Sequence, residues 1–309
     1  MSGQAPAAGR FDAASASRLQ ALGVLVLGAV WLAFTPIFMR LSGVDPAAAG
    51  FWRLTFALPF LALPLAIPAS RAGLGRPTLA LLGAGVFFAL DLGFWHTGVK
   101  LTSVANATTL GNLSQVFVVI GAWILFRERP KGLFLAGLAL ALAGVWTMAT
   151  AKGGAGGIDP LTGDLMSIAG AFWYGCYFLT VRHARAGVSA TGVMLWTSLI
   201  GAPLLLIAAL AMGEKIIPTT PGGWAACVGM GLVHFLGQGA VAWALGRLPA
   251  ATAAVVILLQ PVIAAVLGLV LFAEGLGAFQ IVGGLMALAG VVLAQLAAAR
   301  ASHHPPSGA

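Results

Sequence analysis

Charged residues are scarce in this sequence. Lys, Arg, Asp and Glu make up 8% of its 309 residues, whereas a soluble domain has about 25%. This scarcity excludes a water-soluble domain, because the surface would carry too few polar groups to stay dispersed. The sequence also has only two cysteines, Cys176 and Cys227, each within an apolar stretch. Packing is therefore expected of them rather than a disulfide bond.

Sequence motifs of enzymes are absent as well. The chain contains no Gly-x-Ser-x-Gly, His-Glu-x-x-His, Walker loop or paired acidic motif, each of which marks a kind of active site. No cofactor, metal or catalytic residue is therefore expected, and ATP-driven pumping by this chain alone is excluded. An integral membrane enzyme is the alternative from a different class, and it would need a cluster of nucleophiles or metal ligands near one membrane face.

Long apolar blocks are abundant, and hydrophobic residues form 60% of the chain. About 20 apolar residues in a helix match the thickness of a bilayer core, and the blocks lack the alternation of barrel strands. The predicted fold is an all-α integral membrane protein with ten transmembrane helices, because helices satisfy their own backbone hydrogen bonds in lipid. The predicted spans are residues 19–39, 47–67, 79–98, 102–125, 132–149, 163–181, 190–211, 222–245, 250–271 and 275–297.

The positive charges are distributed unevenly between the loops. If the N-terminus is cytoplasmic, eleven Arg and Lys residues fall on the cytoplasmic side, against only Arg40, Lys100, Lys152 and Lys215 on the other side. This bias predicts a multi-pass protein of the inner (plasma) membrane with both termini in the cytoplasm. The net charge of +8 therefore reports topology, so the expected partner is the lipid bilayer and not nucleic acid.

The two halves of the chain are similar to each other. A shift of 142 residues places Gly28 and Trp31 on Gly170 and Trp173, and a shift of 146 places Glu128 on Glu274. We predict repeats at 19–149 and 163–297, a connecting loop at 150–162, and cytoplasmic tails at 1–18 and 298–309. Five spans per repeat is an odd number, so the halves are inverted around a central cavity, as in many transporters of small molecules.

Residues 102–148 and 248–294 carry a shared pattern. Each has a helix of small residues, an apolar span, a Glu in a short loop, a Gly and then an Ala-Gly pair. This pattern resembles the repeat of the drug/metabolite transporter superfamily in its EamA-type branch, with Gln260-Pro261 in the second copy where the first has Ser114-Gln115. The resemblance implies a secondary transporter that exports small metabolites, amino acids above all, by alternating access; aromatic amino-acid exporters of the YddG type are one such group. Its alternative within the superfamily is a multidrug or quaternary-cation proton antiporter, for which Asp91 would serve as the acid.

Two ionisable residues, Arg53 and Asp91, lie well inside the predicted spans. At 1.5 Å per residue, each is on the order of 10 Å from the outer surface, so the two could form an ion pair. Their repeat counterparts are Leu195 and Gly237, which carry no charge. Ionisable groups within a bilayer are costly, so coupling or substrate contact is the functional interpretation, and a static bridge between two helices is the structural one.

Polar and aromatic residues with helical spacing supply further candidates for the wall of the cavity, because polar stripes avoid lipid. Hydrogen bonding between helices and simple packing are the alternatives for these residues. The candidates, together with Asp91, are Trp31, Trp95, Thr108, Asn112, Gln115, Trp173, Tyr177, His234, Gln238 and Gln260.

Prolines and small residues indicate where helices bend and where they pack. Pro36 and Pro261 interrupt predicted spans and could let them bend. A stripe of small residues runs along the fifth span and recurs along the tenth, which predicts close packing or a homodimer through these helices. The two repeated glutamates are expected to cap helix ends. The stripes are Gly137, Ala141 and Gly144, and Gly283, Ala287 and Gly290.

Overall fold

A computed structural model describes residues 8–102, 107, 110–150, 158–272 and 277–303, and these residues are almost entirely helical, with no strand among them. Helices occupy all ten predicted spans. Seven of the described helices are long and apolar enough to cross a membrane, and those of the fourth and fifth spans are shorter but apolar. The sixth span has 25 residues, with charged side chains near its two ends.

The bounds of the helices follow the predicted spans closely, with spans 1, 4, 8 and 9 divided into segments. They are, for spans 1 to 10, Ala8–Ala33 with Thr35–Ser42; Pro46–Ala62; Leu79–Leu101; Ser114–Phe126, preceded by helical residues 107, 110 and 111; Gly132–Thr150; Pro160–Ala184; Ala190–Ala211; Pro221–Val233, His234–Gln238 and Gly239–Leu245; Ala250–Ile257 with Leu259–Phe272; and Ala278–His303.

Short helical turns at Leu63–Ala66, Pro68–Arg71 and Ala72–Leu74 connect spans 2 and 3. The predicted tails are partly helical, because span 1 begins at Ala8 and span 10 continues to His303. Several helices begin at side-chain caps. The hydroxyl oxygens of Thr78, Ser189 and Thr220 accept hydrogen bonds from the backbone three residues ahead, which satisfies a free N–H of the first turn.

The packing of the spans has the symmetry expected of two inverted repeats. The contact between spans 3 and 6 corresponds to the one between spans 8 and 1. In the same way, the contact between spans 4 and 6 corresponds to the one between spans 9 and 1. The contact between spans 2 and 8 corresponds to the one between spans 7 and 3. Three further pairs, spans 2 and 7, 4 and 9, and 5 and 10, join equivalent helices of the two halves. Exchanging the halves therefore leaves these contacts unchanged, which places a pseudo-two-fold axis between them.

Spans 5 and 10 pack against each other through their small-residue stripes. A Cβ atom at Gly137 would lie 2.6 Å from the Ala294 nitrogen, and one at Gly283 would lie 2.5 Å from the Gly144 oxygen. The stripes are therefore occupied within one chain, as close packing predicts. A homodimer through these helices stays a prediction, and it would have to use their other faces.

Glu128 caps a helix, but not the one that follows it in the chain. The backbone N–H groups of Ala250 and Ala251 donate to its two carboxylate oxygens at 3.1 Å each. The carboxylate thus lies at the N-terminus of span 9, in the other repeat, where the helix dipole favours negative charge. Glu274, predicted to cap in the same way, lies outside the described residues.

We expect Glu128→Ala to lower the free energy of unfolding by about 1–2 kcal/mol, because two backbone donors lose a charged acceptor. Thermal unfolding of the purified protein in detergent would measure this loss. Glu128→Gln keeps one acceptor oxygen and should lose about half as much. Arg129→Ala, a substitution at an exposed neighbour, is the control and should unfold like the wild type. An unchanged melting temperature for Glu128→Ala would contradict the capping role.

Candidate functional site

A cavity of about 200 Å³ lies where the two repeats meet. Among the described residues, seven spans contribute to its wall: spans 1, 2, 3, 4, 6, 8 and 9. Its lining residues from the first repeat are Leu32, Thr35, Arg53, Phe88, Asp91, Leu92, Trp95, Gly111, Asn112, Ser114 and Gln115, and those from the second are Tyr174, Gln238, Ile257, Gln260, Pro261 and Ala264.

Many lining residues are related by the internal repeat. The 142-residue shift relates Leu32 to Tyr174, and the 146-residue shift relates four further pairs. Because both members of each pair face the same cavity, the cavity lies on the pseudo-two-fold axis. The further pairs are Leu92 with Gln238, Gly111 with Ile257, Ser114 with Gln260, and Gln115 with Pro261.

The charged groups of the cavity break this symmetry. Arg53 and Asp91 line it, whereas their counterparts Leu195 and Gly237 carry no charge. Trp95 likewise lines the cavity while its counterpart Val241 is buried elsewhere. Both halves of the protein therefore form the wall of the cavity, but only the first half supplies its charged side chains among the described residues.

Arg53 and Asp91 face the cavity without bonding directly to each other. The Arg53 side chain is only 7% exposed, and its guanidinium carbon lies 5.5 Å from the ring centroid of Phe88. The two charges are near enough to interact electrostatically, but no hydrogen bond joins this pair of described residues. The Arg53 Nε atom is buried and has no hydrogen-bond partner among the described residues. The two residues, which by their depth could have formed an ion pair, thus lie on the wall of one cavity without a direct hydrogen bond between them.

Two glutamine side chains bring further polar atoms to the cavity. The Oε1 atoms of Gln115 and Gln238 are buried and have no hydrogen-bond partner in the described part of the chain. Gln115 Nε2 donates to Ser114 Oγ at 3.2 Å, and Gln238 lies beside the Tyr174 hydroxyl. Gln238 ends the π-helical turn His234–Gln238 of span 8, and such wide turns are frequent at functional sites.

Span 1 is interrupted next to the cavity. It breaks at Phe34, between its two helical segments. Pro36 has no N–H to give to the Leu32 carbonyl four residues earlier, and Gln260 Nε2 donates to that carbonyl instead at 3.3 Å. The carbonyl left free by Pro36 is therefore satisfied by a side chain from the opposite repeat.

Spans 4 and 9 break at equivalent positions. Span 9 breaks at Leu258, where Pro261 cannot donate to the Ile257 carbonyl. In span 4, predicted as one helix over 102–125, a turn at Asn112 and Leu113 interrupts the helix. Leu113 N donates to Leu110 O at 3.0 Å in a tightened turn, so the break forms without a proline. A role of these breaks in bending stays a prediction.

Four residues predicted to line the cavity lie elsewhere in the structure. Trp31 is 37% exposed and contacts Phe34, and Trp173 stacks on Phe87 with centroids 5.6 Å apart. Tyr177 and His234 are buried behind Phe88, with ring centroids 4.5 Å and 5.4 Å from it. These four assignments are corrected to packing positions. Thr108 lies outside the described residues.

Sequence reasoning missed Tyr174 while naming its neighbours Trp173 and Tyr177. Successive helical residues are about 100° apart, so only one of these side chains points directly at the axis of the bundle. The sequence carried no signal for Tyr174, because the fact that its repeat counterpart Leu32 also lines the cavity is visible only in the structure. The predicted residues that the structure does bring to the cavity are Asp91, Trp95, Asn112, Gln115, Gln238 and Gln260, together with Arg53 and Pro261.

Known proteins share this sequence and fold over most of the chain. An uncharacterized transporter from Archaeoglobus fulgidus is 28% identical over 271 residues, which cover 87% of this chain and 94% of the relative. A probable terminal-alkyne amino-acid exporter from Streptantibioticus cattleyicolor is 29% identical over 281 residues, covering 89% of this chain and 93% of that protein. A solved crystal structure superposes with a TM-score of 0.79 at 20% identity, covering 92% of this chain and 99% of that one, which shows a common fold.

The family comparison agrees with the internal repeat. Residues 19–150 and, separately, residues 161–296 match the EamA-like transporter family. The two matches together span most of the chain and carry both halves of the cavity wall. The chain is thus a multi-pass membrane protein that belongs to the EamA-like transporter family.

Proposed function

We propose that this protein is a secondary transporter that exports small metabolites, with amino acids as the favoured class, across the inner membrane by alternating access. The observation that carries the proposal is the small cavity on the pseudo-two-fold axis between inverted repeats, where a few charged and polar groups lie among apolar side chains. This is the position at which transporters built from inverted repeats bind their substrates. The similarity to a probable amino-acid exporter supports the substrate class.

The size and charge of the cavity favour a small metabolite over a drug. Its volume of about 200 Å³ is below the roughly 300–1,000 Å³ typical of pockets for drug-sized ligands. A quaternary cation could pair with Asp91, but Arg53 lines the same space and would repel it. The multidrug or quaternary-cation antiporter is therefore the weaker alternative.

Breaks in the helices supply a means of opening and closing the cavity. Spans 1, 4 and 9 are each interrupted at residues that line the cavity or lie beside it. Changes in backbone dihedral angles at such points move one helical segment while the other stays packed. The excess of positive charge on one side supports an orientation with both termini in the cytoplasm, so transport outward is export.

Counterflow in proteoliposomes tests the proposal. Vesicles loaded with one unlabelled solute would be diluted into the same labelled solute, using a panel of amino acids, nucleobases and quaternary cations. We expect accumulation of label for one or more amino acids and for no quaternary cation. Folded, reconstituted protein that accumulates none of the amino acids would overturn the proposal, and accumulation of the cations alone would favour the antiporter.

Trp95 is held in a narrow slot at the cavity, and this gives a second test. Its Nε1 donates to the Ala107 carbonyl at 3.1 Å, while a Cβ atom at Gly111 would lie 2.9 Å from that nitrogen. Gly111→Ala should therefore displace the indole and weaken transport affinity about 3- to 10-fold, equivalent to about 1 kcal/mol. Concentration dependence of counterflow would measure the change. Gly93→Ala on span 3, with no atom within 4 Å, is the control; equal affinities in both variants would refute the slot.

A further inference from the structure

We propose that the cavity recognises the zwitterionic head of an α-amino acid, with Arg53 binding the carboxylate and Asp91, Gln115 and Gln238 binding the ammonium. This inference rests on the proposed function and assigns its charge recognition to particular groups. It follows from which polar atoms in the cavity lack partners and from the sign of the charge beside them.

Arg53 has unused donors in a buried position. Its Nε has no hydrogen-bond partner among the described residues, although the side chain is only 7% exposed. The Phe88 ring under the guanidinium, 5.5 Å away, stabilises the positive charge through its π face but accepts none of its N–H groups. A carboxylate matches the planar fork of a guanidinium and can accept two of its hydrogen bonds.

The acceptors in the cavity match an ammonium group. Asp91 contributes a carboxylate to the wall, and the buried Oε1 atoms of Gln115 and Gln238 have no partner within the described chain. An ammonium has three N–H donors and no acceptor, so these three acceptor groups suffice to satisfy it. A buried amide oxygen without a partner is costly, and a ligand donor would remove that cost.

The arrangement selects for a ligand that carries both charges. A ligand with only a positive charge would be attracted by Asp91 but repelled by Arg53. A ligand with only a negative charge would be attracted by Arg53 but repelled by Asp91. The repeat counterparts of both residues are uncharged, so the two charges define a single orientation of the head group. The remaining wall includes Leu32, Leu92, Ile257 and Ala264, which suit an uncharged side chain.

Binding of matched analogues to the wild-type protein tests the charge requirement. The standard L-amino acids would first be ranked by affinity, and the tightest one compared with its decarboxylated amine and its des-amino acid. We expect each analogue to bind about 10- to 100-fold more weakly, because each loses one set of charged hydrogen bonds. Amino acids that bind no better than their analogues would overturn this inference while leaving amino-acid export standing. If no amino acid binds, the proposed function fails as well.

Charge-neutral variants test the assignment of groups. In Arg53→Gln the preference for the amino acid over its amine should fall to about 1-fold, while the preference over its des-amino acid persists. In Asp91→Asn the preference for the amino acid over its des-amino acid should fall to about 1-fold, while the preference over its amine persists. The assignment would be refuted if Arg53→Gln kept the wild-type preference over the amine, or if Asp91→Asn kept the wild-type preference over the des-amino acid.

The double variant Arg53→Gln/Asp91→Asn serves if a single variant fails to fold, because it leaves no lone buried charge. Both preferences should fall to about 1-fold in this protein. If either preference survives in the folded double variant, the two charged groups do not recognise the zwitterion.

Discussion

Asp91→Asn is expected to abolish transport while leaving the amount of folded protein in the membrane unchanged. Asp91 is the one acidic side chain among the described residues that line the cavity, and asparagine keeps its shape but not its charge. The variant loses a charged acceptor and leaves Arg53 without a counter-charge, so the initial rate should fall about 100-fold or more. The rate of counterflow in proteoliposomes, normalised to reconstituted protein, measures the effect.

A matched control separates this effect from a general loss of negative charge. Asp159→Asn removes an exposed carboxylate that accepts a hydrogen bond from Thr162 N at the start of span 6. Asparagine caps helices as well as aspartate does, so this variant should transport normally. Wild-type transport by Asp91→Asn would exclude a role in substrate contact or coupling.

The double variant Arg53→Gln/Asp91→Asn distinguishes a functional pair from a static one. If the two charges only balance each other across spans 2 and 3, removing both restores neutrality and should restore transport. If they contact the substrate, the double variant stays inactive. We expect it to stay inactive, because both side chains face open space in the cavity instead of bonding to each other.

Gly283→Ala and Gly284→Ala are expected to change stability in opposite directions. A Cβ atom at Gly283 would lie 2.5 Å from the Gly144 carbonyl oxygen and 2.7 Å from the Met148 nitrogen, backbone atoms that cannot move aside. Spans 5 and 10 would have to separate, at a cost of about 2–3 kcal/mol. At Gly284 the nearest atom is a Val262 methyl at 3.7 Å, so alanine should stabilise the helix by about 0.5–1 kcal/mol.

The two glycines are adjacent in one helix, so each substitution controls for the helix propensity of the other. Thermal unfolding in detergent should separate the variants by about 5 °C or more, with the wild type between them. Equal melting temperatures would show that the contact between spans 5 and 10 contributes little to stability.

Much of the fold could be predicted from the chain itself, because a bilayer restricts the choices. Apolar blocks of fixed length become helices in lipid, and the ten predicted spans correspond to helices whose ends differ by only a few residues at most positions. Span 1 and span 10 extend further, to Ala8 and His303, since nothing in hydropathy marks where a helix continues beyond the apolar core.

The partners of particular residues could not be predicted. Glu128 was correctly expected to cap a helix, yet the helix is span 9, more than a hundred residues away. The break in span 4 carries no proline and arises from the same tight turn that Pro261 causes in span 9. The cap depends on a contact between segments remote in sequence, whereas the break in span 4 is a local turn that no proline marks.

The scarcity of charge determined that this chain lies in a membrane, and the repeat determined that its halves are inverted. The sequence alone also singled out Arg53 and Asp91, because charges are rare in spans. Only the tertiary structure decided that both face one small cavity, and that Tyr174 and Gln238 line it while Tyr177 and His234 pack behind Phe88. The physical reason is that hydropathy sets the depth of a residue, whereas helix rotation and the packing of distant spans set its direction.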